Sequence, residues 1–224
     1  MPIKKLLERS DFGQALAEHW KFICAEINYV PIFSIARDIV LELPSGSDED
    51  LRELAKYALR ITTRKAALRH DLMGRVYHLL LHDAKYLGTY YTSVGAATLL
   101  LKLSLGKAWN IDWSDLARLR QLRFADLACG TGTLLMAASQ AITDNFVHAT
   151  AAKGVKIDTS LLRELHRAIM EDITHGYDVL LTAAHLTAST LALLSPEIAF
   201  RKMQLYSVPL GKDSSGVRLG SIDF

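Results

Sequence analysis

The amino-acid sequence predicts an α/β protein, in which an N-terminal helical subdomain over residues 1–85 precedes a parallel-sheet core over residues 86–224. Apolar residues recur at helical spacing through the first third of the chain. From residue 123 onward, short strand patterns alternate with helical patterns, which is typical of a parallel sheet whose strands are joined by helices. A glycine-containing turn joins the first of these strands directly to a helix.

The composition is that of an ordinary globular protein, with 50% hydrophobic and 22% charged residues. The formal net charge is only +2 and Lys and Arg are dispersed, so the composition does not indicate a nucleic-acid-binding face. Cys24 and Cys129 match neither a metal-ligand spacing nor a disulfide framework. Because no signal peptide and no run of about 18 apolar residues is visible, we expect a soluble cytoplasmic protein without a membrane segment.

The first third of the sequence predicts helices joined by short connections. Pro31 interrupts the first apolar pattern, and the Pro-Ser-Gly-Ser run at 44–47 indicates a loop. Ser47 and the three acidic residues after it are typical of a capped helix start. The predicted helices run from Ser10 to Asn28, from Ser47 to about Arg60, and from about Arg64 to His82.

The remaining sequence predicts alternating helices and strands. Helices are expected from Val94 to about Leu105, from Gly132 towards Phe146, from Asp158 to near Glu171, and from Ala183 to Leu194. Strands are expected from Phe124 to Ala128, from Ile173 to Tyr177, from Met203 to Val208, and from Val217 to Phe224. The stretch from Ala149 to Lys156 is expected to be a loop.

The turn from the first strand into its helix is the most informative segment. Gly130 and Gly132 can adopt positive φ and let a ligand approach the backbone. The first N–H groups of the new helix favour an anion such as a carboxylate, at the sheet edge where α/β proteins bind ligands. A G-x-G pair also occurs in purely structural turns. The dinucleotide fingerprint is not matched, because Leu135 stands at its third glycine, and no nucleoside-triphosphate loop is present.

The segment from Asp126 to Gly132, Asp-Leu-Ala-Cys-Gly-Thr-Gly, resembles the first motif of N6-adenine DNA methyltransferases of restriction–modification systems. It is most similar to the D-P-A-C-G-T-G motif of type I modification subunits. The resemblance implies a partial class I methyltransferase (Rossmann-like) parallel sheet and S-adenosylmethionine as cofactor. It places Asp126, Ala128, Cys129, Gly130, Thr131 and Gly132 at the cofactor.

Upstream, the segment from Gly88 to Ser93 resembles the family's G-x-F-Y-T-P motif, with Tyr90 for Phe and Ser93 for Pro. The resemblance implies that Tyr90, Tyr91 and Thr92 contact the cofactor, through aromatic rings and a hydroxyl. The alternative is a helix start capped by Thr92 or Ser93. Residues 71–77 resemble the helix that leads into this segment in the same family.

Two downstream segments continue the resemblance. Gly176-Tyr177-Asp178 is similar to the family's G-x-E, which implies that Asp178 accepts hydrogen bonds from the ribose; otherwise Asp178 is an ordinary cap. Residues 183–186 resemble the Ala-rich helix that follows. Residues 219–224 occupy the place of a G-D-x-L motif, whose Asp binds the adenine amino group. Direct alignment puts Ser221 at that Asp, whereas Asp223 needs a two-residue shift, and both alternatives remain open.

The family's [N/D/S]-P-P-[Y/F/W] motif, which holds the target amine and stacks on a flipped base, is absent, because no two prolines are adjacent. We therefore expect a fragment that binds cofactor, has no catalytic residue of its own and is inactive alone, by truncation or degeneration. The alternative is a non-catalytic scaffold or split subunit that docks a partner; methylation of a small molecule, RNA or protein is a third possibility. The resemblance implies DNA, bound by a full-length protein, and specificity or other restriction–modification subunits as partners. An incomplete sheet also predicts self-association through its edge.

Overall fold

The structure is a computed structural model that describes residues 3–26, 30–62, 71–80, 92–106, 109–195, 198, 200–214 and 216–223. The chain divides into two compact units, Met1–Arg69 and His70–Phe224. The predicted boundary at residue 85 lies outside the described residues. None of the helices within the described ranges has the length and apolar character needed to cross a membrane.

The first unit consists of α1 (Ile3–Leu6), α2 (Phe12–Glu26), α3 (Val30–Leu41) and α4 (Asp48–Thr62). Helix α2 packs against α3 and α4, and its first turns bury Phe12, Ala15 and Leu16 together with Leu6 of α1. At the start of α2, the Gly13 N–H donates to the Asp48 carboxylate over 2.6 Å, so the acidic first turn of α4 also caps α2.

Helix α3 was not predicted from the sequence, because Pro31 was interpreted as a break. The structure begins α3 at Val30, which places Pro31 in the first helical turn. There a proline loses no helical hydrogen bond and its fixed φ suits the helix. The helix predicted from Arg64 to His82 is described only over α5 (Asp71–Leu80), and residues 63–70 lie outside the described part.

The second unit continues from α5 with α6 (Val94–Ser104) and α7 (Leu116–Leu119). Ser93 caps α6, since its hydroxyl accepts the Ala96 N–H over 3.3 Å. Helix α6 packs on α8 (Thr133–Ala152) and buries Ala97 and Leu101 there. Asn145 of α8 donates its side-chain N–H to the Leu105 carbonyl over 2.8 Å, which ties the end of α6 to α8.

A parallel sheet forms the centre of the second unit, as the sequence predicted. Its strands are β1 (Phe124–Asp126), β2 (Thr174–Asp178) and β3 (Gln204–Ser207), in that spatial order. Helix α8, helix α9 (Thr159–Ala168) and a π-helix (Ile169–Ile173) connect β1 to β2, and α10 (Leu181–Ala192) connects β2 to β3. Neighbouring strands joined through helices give an α/β arrangement.

Two further segments differ from the sequence prediction. Helix α8 continues to Ala152, into the predicted loop, because the Ala-rich run 149–152 favours helix and Gly154, with φ 69°, provides the stop. The predicted terminal strand over 217–224 is instead half of a hairpin. Strand β4 (Leu210–Asp213) pairs antiparallel with β5 (Gly216–Leu219), and a 3-10 helix (Gly220–Asp223) follows.

Candidate functional site

The glycine turn begins where β1 ends, at Asp126, and leads directly into α8. Gly130 has φ 54° and Gly132 has φ 85°, a region that glycine enters without steric cost. The Gly132 N–H donates to the Cys129 carbonyl over 2.8 Å, which closes the turn. The Cys129 N–H donates to the Tyr177 carbonyl over 2.9 Å, so the turn is also attached to β2.

The start of α8 has backbone donors without partners inside the helix, next to an open side of the turn at Gly130. The first N–H groups of an α-helix have no carbonyl partner within the helix, and Gly132 at the N-cap supplies no capping side chain. A Cβ built on Gly130 would meet no atom within 4 Å, so the outer side of the turn is accessible. Next to it, Leu127 is 50% exposed and provides an apolar surface. These groups fit an anionic substituent on a partly apolar ligand.

Asp178 lies at the carboxyl end of β2 and holds the turn from the side. Its Oδ2 accepts the Gly130 N–H over 2.8 Å, and its Oδ1 accepts the Leu180 N–H over 2.8 Å. Its carbonyl accepts the Val208 N–H over 2.8 Å. Because Asp178 is only 8% exposed and both of its carboxylate oxygens accept from backbone, a ribose hydroxyl would have to share an oxygen with the protein. Contact between Asp178 and a ribose stays a prediction.

Asp126 is the second carboxylate at this edge of the sheet. Its Oδ1 accepts the Ala128 N–H over 3.1 Å. Burial raises the pKa of Asp126 above its ordinary value, and the charge of Asp178 adds to the rise, whereas the Ala128 hydrogen bond opposes it. Asp126 and Asp178 both accept N–H groups of the same turn, from Ala128 and Gly130, and their negative charge suits hydroxyl or ammonium donors.

The floor of the turn is formed by Thr187 of α10, a residue that the sequence did not single out. Its hydroxyl donates to the Gly130 carbonyl over 2.8 Å and lies 3.7 Å from the Cys129 sulfur. Burial raises the pKa of the Cys129 thiol to about 12, so this cysteine is packed as an unreactive thiol. A threonine inside an apolar helix carries no sequence signal for such a contact, because its partner is far away in the chain.

The remaining predicted residues lie in three other segments. Tyr90 and Tyr91 lie outside the described residues. Thr92 is exposed and directly precedes the Ser93 cap of α6, the helix that packs on α8. Helix α5, which contains the described part of the lead-in resemblance, contacts α10 through a 3.0 Å hydrogen bond between the Tyr77 and Thr182 hydroxyls.

The 3-10 helix that contains Ser221 approaches the end of β2. A Cβ built on Gly220 would lie 3.0 Å from the Cγ1 of Val179, the residue after Asp178. Gly220 also donates its N–H to the Pro209 carbonyl over 3.1 Å. The start of this 3-10 helix therefore lies beside the carboxyl end of β2, and whether Ser221 or Asp223 binds adenine stays a prediction.

A cavity of about 220 Å³ lies away from the turn and contains none of the predicted site residues. Its lining comes from α8, α9, the π-helix and the residues after α10: Ser139, Gln140, Thr143, Asp144, His166, Met170 and Leu194. Among the described residues, no group of three or more His, Cys, Asp or Glu side chains is placed to hold a metal ion. The glycine turn therefore remains the best-supported candidate site.

Comparisons with protein-family models, with curated proteins and with solved structures found no match to this chain.

Proposed function

We propose that this chain binds S-adenosylmethionine at the glycine turn, as the cofactor-binding part of an adenine-N6 DNA methyltransferase. The observation that carries the proposal is the turn itself. Two glycines with positive φ lead from β1 into a helix without a side-chain cap, and Asp126 and Asp178 lie together at the ends of β1 and β2. This is the edge of an α/β sheet at which nucleotide-containing ligands bind.

Several parts of the cofactor would find a complementary group at this edge. The methionine carboxylate suits the N–H groups at the start of α8, and the open side of Gly130 leaves room for it. Asp126, with one oxygen taken by Ala128, suits the hydroxyl or ammonium donors of the ligand. By resemblance, Tyr90, Tyr91 and Thr92 cover the methionine part. When bound, the cofactor supplies an electrophilic methyl group on a sulfonium.

We assign Asp178 first to holding the turn, and only second to the ribose. Its two hydrogen bonds fix the Gly130 and Leu180 N–H groups, so the carboxylate determines where the turn lies before any ligand arrives. A ribose hydroxyl that shares one of these oxygens would gain an acceptor that is already ordered.

The proposal separates cofactor binding from methyl transfer. None of the five prolines is adjacent to another, so these 224 residues contain no Pro-Pro pair to position a target amine. We propose that this chain binds the cofactor without methylating DNA by itself. DNA and other restriction–modification subunits would be bound by a full-length cytoplasmic protein. Self-association through the edge strands β1 and β3 also stays a prediction, which size-exclusion chromatography at high concentration tests.

A scaffold that docks a partner is the second candidate function. The observation that favours it is the outer face of α6, where Leu99, Leu100 and Leu103 are all more than half exposed. Clustered exposed leucines are typical of protein-binding surfaces. This function requires no ligand at the glycine turn, so a binding measurement discriminates between the two candidates.

Calorimetry with S-adenosylmethionine and with its demethylated product, S-adenosylhomocysteine, tests the proposal. We expect both ligands to bind the wild-type chain. Asp178→Asn, which replaces one acceptor oxygen by an NH₂ group, should weaken both about 10-fold, since a hydrogen bond to a charged group contributes about 1.5–3 kcal/mol.

Asp158→Asn is the matched control. Asp158 caps α9 by accepting the Leu161 N–H over 2.8 Å, in a part of the unit that contains no predicted site residue. The same change from carboxylate to amide should leave both dissociation constants unchanged. Absence of both heat and thermal stabilisation with either ligand would refute the cofactor site.

A further inference from the structure

We infer that Thr187 is a positioning residue for the glycine turn, which directs the Thr131 N–H towards the carboxylate of an amino-acid-bearing nucleoside. The inference deepens the proposed function and rests on it for the identity of the ligand. The buried Thr187 hydroxyl of α10 sets the orientation of the peptide group between Gly130 and Thr131, and the N–H of this group lies on the opposite side of the turn.

The turn lies directly on Thr187. This side chain is fully buried, and its Oγ1 donates to the Gly130 carbonyl over 2.8 Å. A Cβ built on Gly132 would lie 2.9 Å from the Thr187 Cγ2 and 3.2 Å from its Cα. The hydroxyl thus fixes one glycine of the turn, and the methyl group allows only glycine at the other.

Because the peptide bond is planar, the contact with the Gly130 carbonyl also determines the direction of the Thr131 N–H. The Gly130 carbonyl and the Thr131 N–H belong to one trans peptide group, in which the C=O and the N–H point in opposite directions. Because the carbonyl points at Thr187, the N–H of Thr131 points away from α10. On the neighbouring peptide, Asp178 accepts the Gly130 N–H over 2.8 Å, so both peptide groups that flank Gly130 are fixed.

The contact differs from those of Ser189 and Thr190, the two hydroxyls that follow Thr187 on α10. Ser189 donates to the His185 carbonyl four residues earlier over 3.1 Å, which is the ordinary way in which a helical hydroxyl is satisfied. Thr190 is buried, and within the described part of the chain its hydroxyl has no hydrogen-bond partner. Thr187 instead reaches a turn 57 residues away in the chain. The Thr187 hydroxyl therefore holds the turn and does not bond to a carbonyl of its own helix.

Three variants and two ligands test this role. Thr187→Val keeps the shape and removes the hydroxyl, Thr187→Ser restores the hydroxyl, and Thr190→Val makes the isosteric change three residues along α10. S-adenosylhomocysteine carries the amino-acid carboxylate. 5′-Methylthioadenosine has the same adenine, ribose and sulfur but lacks the amino acid.

We expect Thr187→Val to weaken S-adenosylhomocysteine binding about 10-fold, the equivalent of about 1.4 kcal/mol for one hydrogen bond, and to change methylthioadenosine binding less than about twofold. Thr187→Ser should bind S-adenosylhomocysteine within about threefold of wild type, and Thr190→Val should bind it as wild type does. Equal weakening of both ligands by Thr187→Val, or no rescue by Thr187→Ser, would overturn the positioning role. If Thr187→Val does not fold, Thr187→Ala removes the same hydroxyl and takes its place in the comparison.

Amide hydrogen exchange without ligand separates this inference from the proposed function. We expect Thr187→Val to speed exchange in peptides that cover residues 129–133, while Thr187→Ser and Thr190→Val exchange as wild type does. Failure of the wild-type chain to bind either nucleoside would refute the cofactor site. Unchanged exchange in Thr187→Val would instead show that the hydroxyl does not hold the turn, whatever the chain binds.

Discussion

The two units of this protein differ in what they bury. In the helical unit, the described core consists of apolar side chains, chiefly Leu6, Phe12 and Leu16. In the second unit, buried threonine, serine and acidic side chains lie among the apolar ones, and they include Thr131, Asp178 and Thr187. Among the described residues, every buried polar side chain belongs to the second unit.

This difference separates a packed scaffold from a structured site. Apolar contacts are non-directional and tolerate small shifts, whereas a buried hydrogen bond fixes one particular geometry. In the second unit, the Asp178 carboxylate accepts the Gly130 N–H and the Thr187 hydroxyl donates to the Gly130 carbonyl, so both side chains hold backbone groups of a single turn. We interpret the concentration of buried polar contacts there as the structural basis for a preorganised ligand site.

Phe12→Ala should break the helical unit and produce the largest loss of stability. Phe12 is fully buried among Leu6, Ala15 and Leu16, and the Arg52 guanidinium lies 5.6 Å from its ring centroid. Truncation of a buried Phe costs about 3–5 kcal/mol. We expect hydrogen exchange in α2 to rise sharply, while exchange at the glycine turn stays unchanged.

Phe22→Ala, on the same helix, is the matched control. Phe22 is 55% exposed, so its removal should change the free energy of unfolding by less than about 0.5 kcal/mol. Equal acceleration of exchange at residues 126–132 in Phe12→Ala would show that the two units do not keep separate cores.

Gly176→Ala should disturb the second unit and the site together. A Cβ at Gly176 would lie 2.7 Å from the Leu205 Cδ2, 2.9 Å from the Leu135 Cδ1 and 3.2 Å from the Cys129 sulfur. Overpacking of this kind costs about 1–3 kcal/mol. Because Cys129 belongs to the turn, we expect weaker S-adenosylhomocysteine binding as well as a lower melting temperature.

Gly95→Ala gives the opposite sign in the same unit. A Cβ on Gly95 would meet nothing within 4 Å, and the residue lies in α6, where alanine is preferred over glycine by about 0.5–1 kcal/mol. This variant should melt slightly higher and bind as wild type does. Normal binding by a destabilised Gly176→Ala would show that the turn tolerates a shift of Cys129.

Periodicity and breaker residues predicted most of the order of helices and strands. They failed where a residue type is compatible with two different positions in a helix. Pro31 ends a helix in most contexts, but it also suits a first helical turn, and the structure places it there. The hairpin of β4 and β5 was missed because the segment from Leu210 to Asp213 has no clear alternation of apolar and polar residues. Its strands are defined by pairing with each other, which a local pattern does not contain.

The sequence indicated the contiguous part of the candidate site and, through the family resemblance, Asp178, but it did not indicate Thr187. The glycine turn is contiguous in sequence, so its positive φ values could be anticipated at Gly130 and Gly132. The hydrogen bonds from Gly130 to Asp178 and from Thr187 to Gly130 join residues 48 and 57 positions apart. Such contacts arise from the parallel pairing of β1 and β2 and the packing of α10, so no spacing rule identifies Thr187.

Asp126→Asn should affect stability less than Gly176→Ala does, and it gives a pH test of the site. Burial and the charge of Asp178 raise the pKa of Asp126 above 3.8 in the folded chain. Between 3.8 and the raised pKa, the folded chain holds more protons than the unfolded chain. The stability that the protonated Asp126 carboxyl contributes is therefore fully present below pH 3.8, and it is lost as the pH rises through the pKa of the folded chain. Asp126→Asn removes this loss, so its stability relative to wild type should rise with pH and then level off.

Asp112→Asn should show the reverse dependence, because hydrogen bonds from Lys153 and Ser114 lower the pKa of exposed Asp112 to about 2. The stability that Asp112 contributes is present above pH 3.8 and falls as the pH drops towards 2, so Asp112→Asn should differ from wild type by a constant amount at higher pH.

The pH dependence of ligand affinity tests whether Asp126 contacts the ligand. If its ionised carboxylate accepts ligand donors, wild-type affinity for S-adenosylhomocysteine should increase as the pH rises through the raised pKa. Asp126→Asn should bind more weakly, with no such increase. An identical pH dependence of affinity in both chains would assign Asp126 to the turn alone.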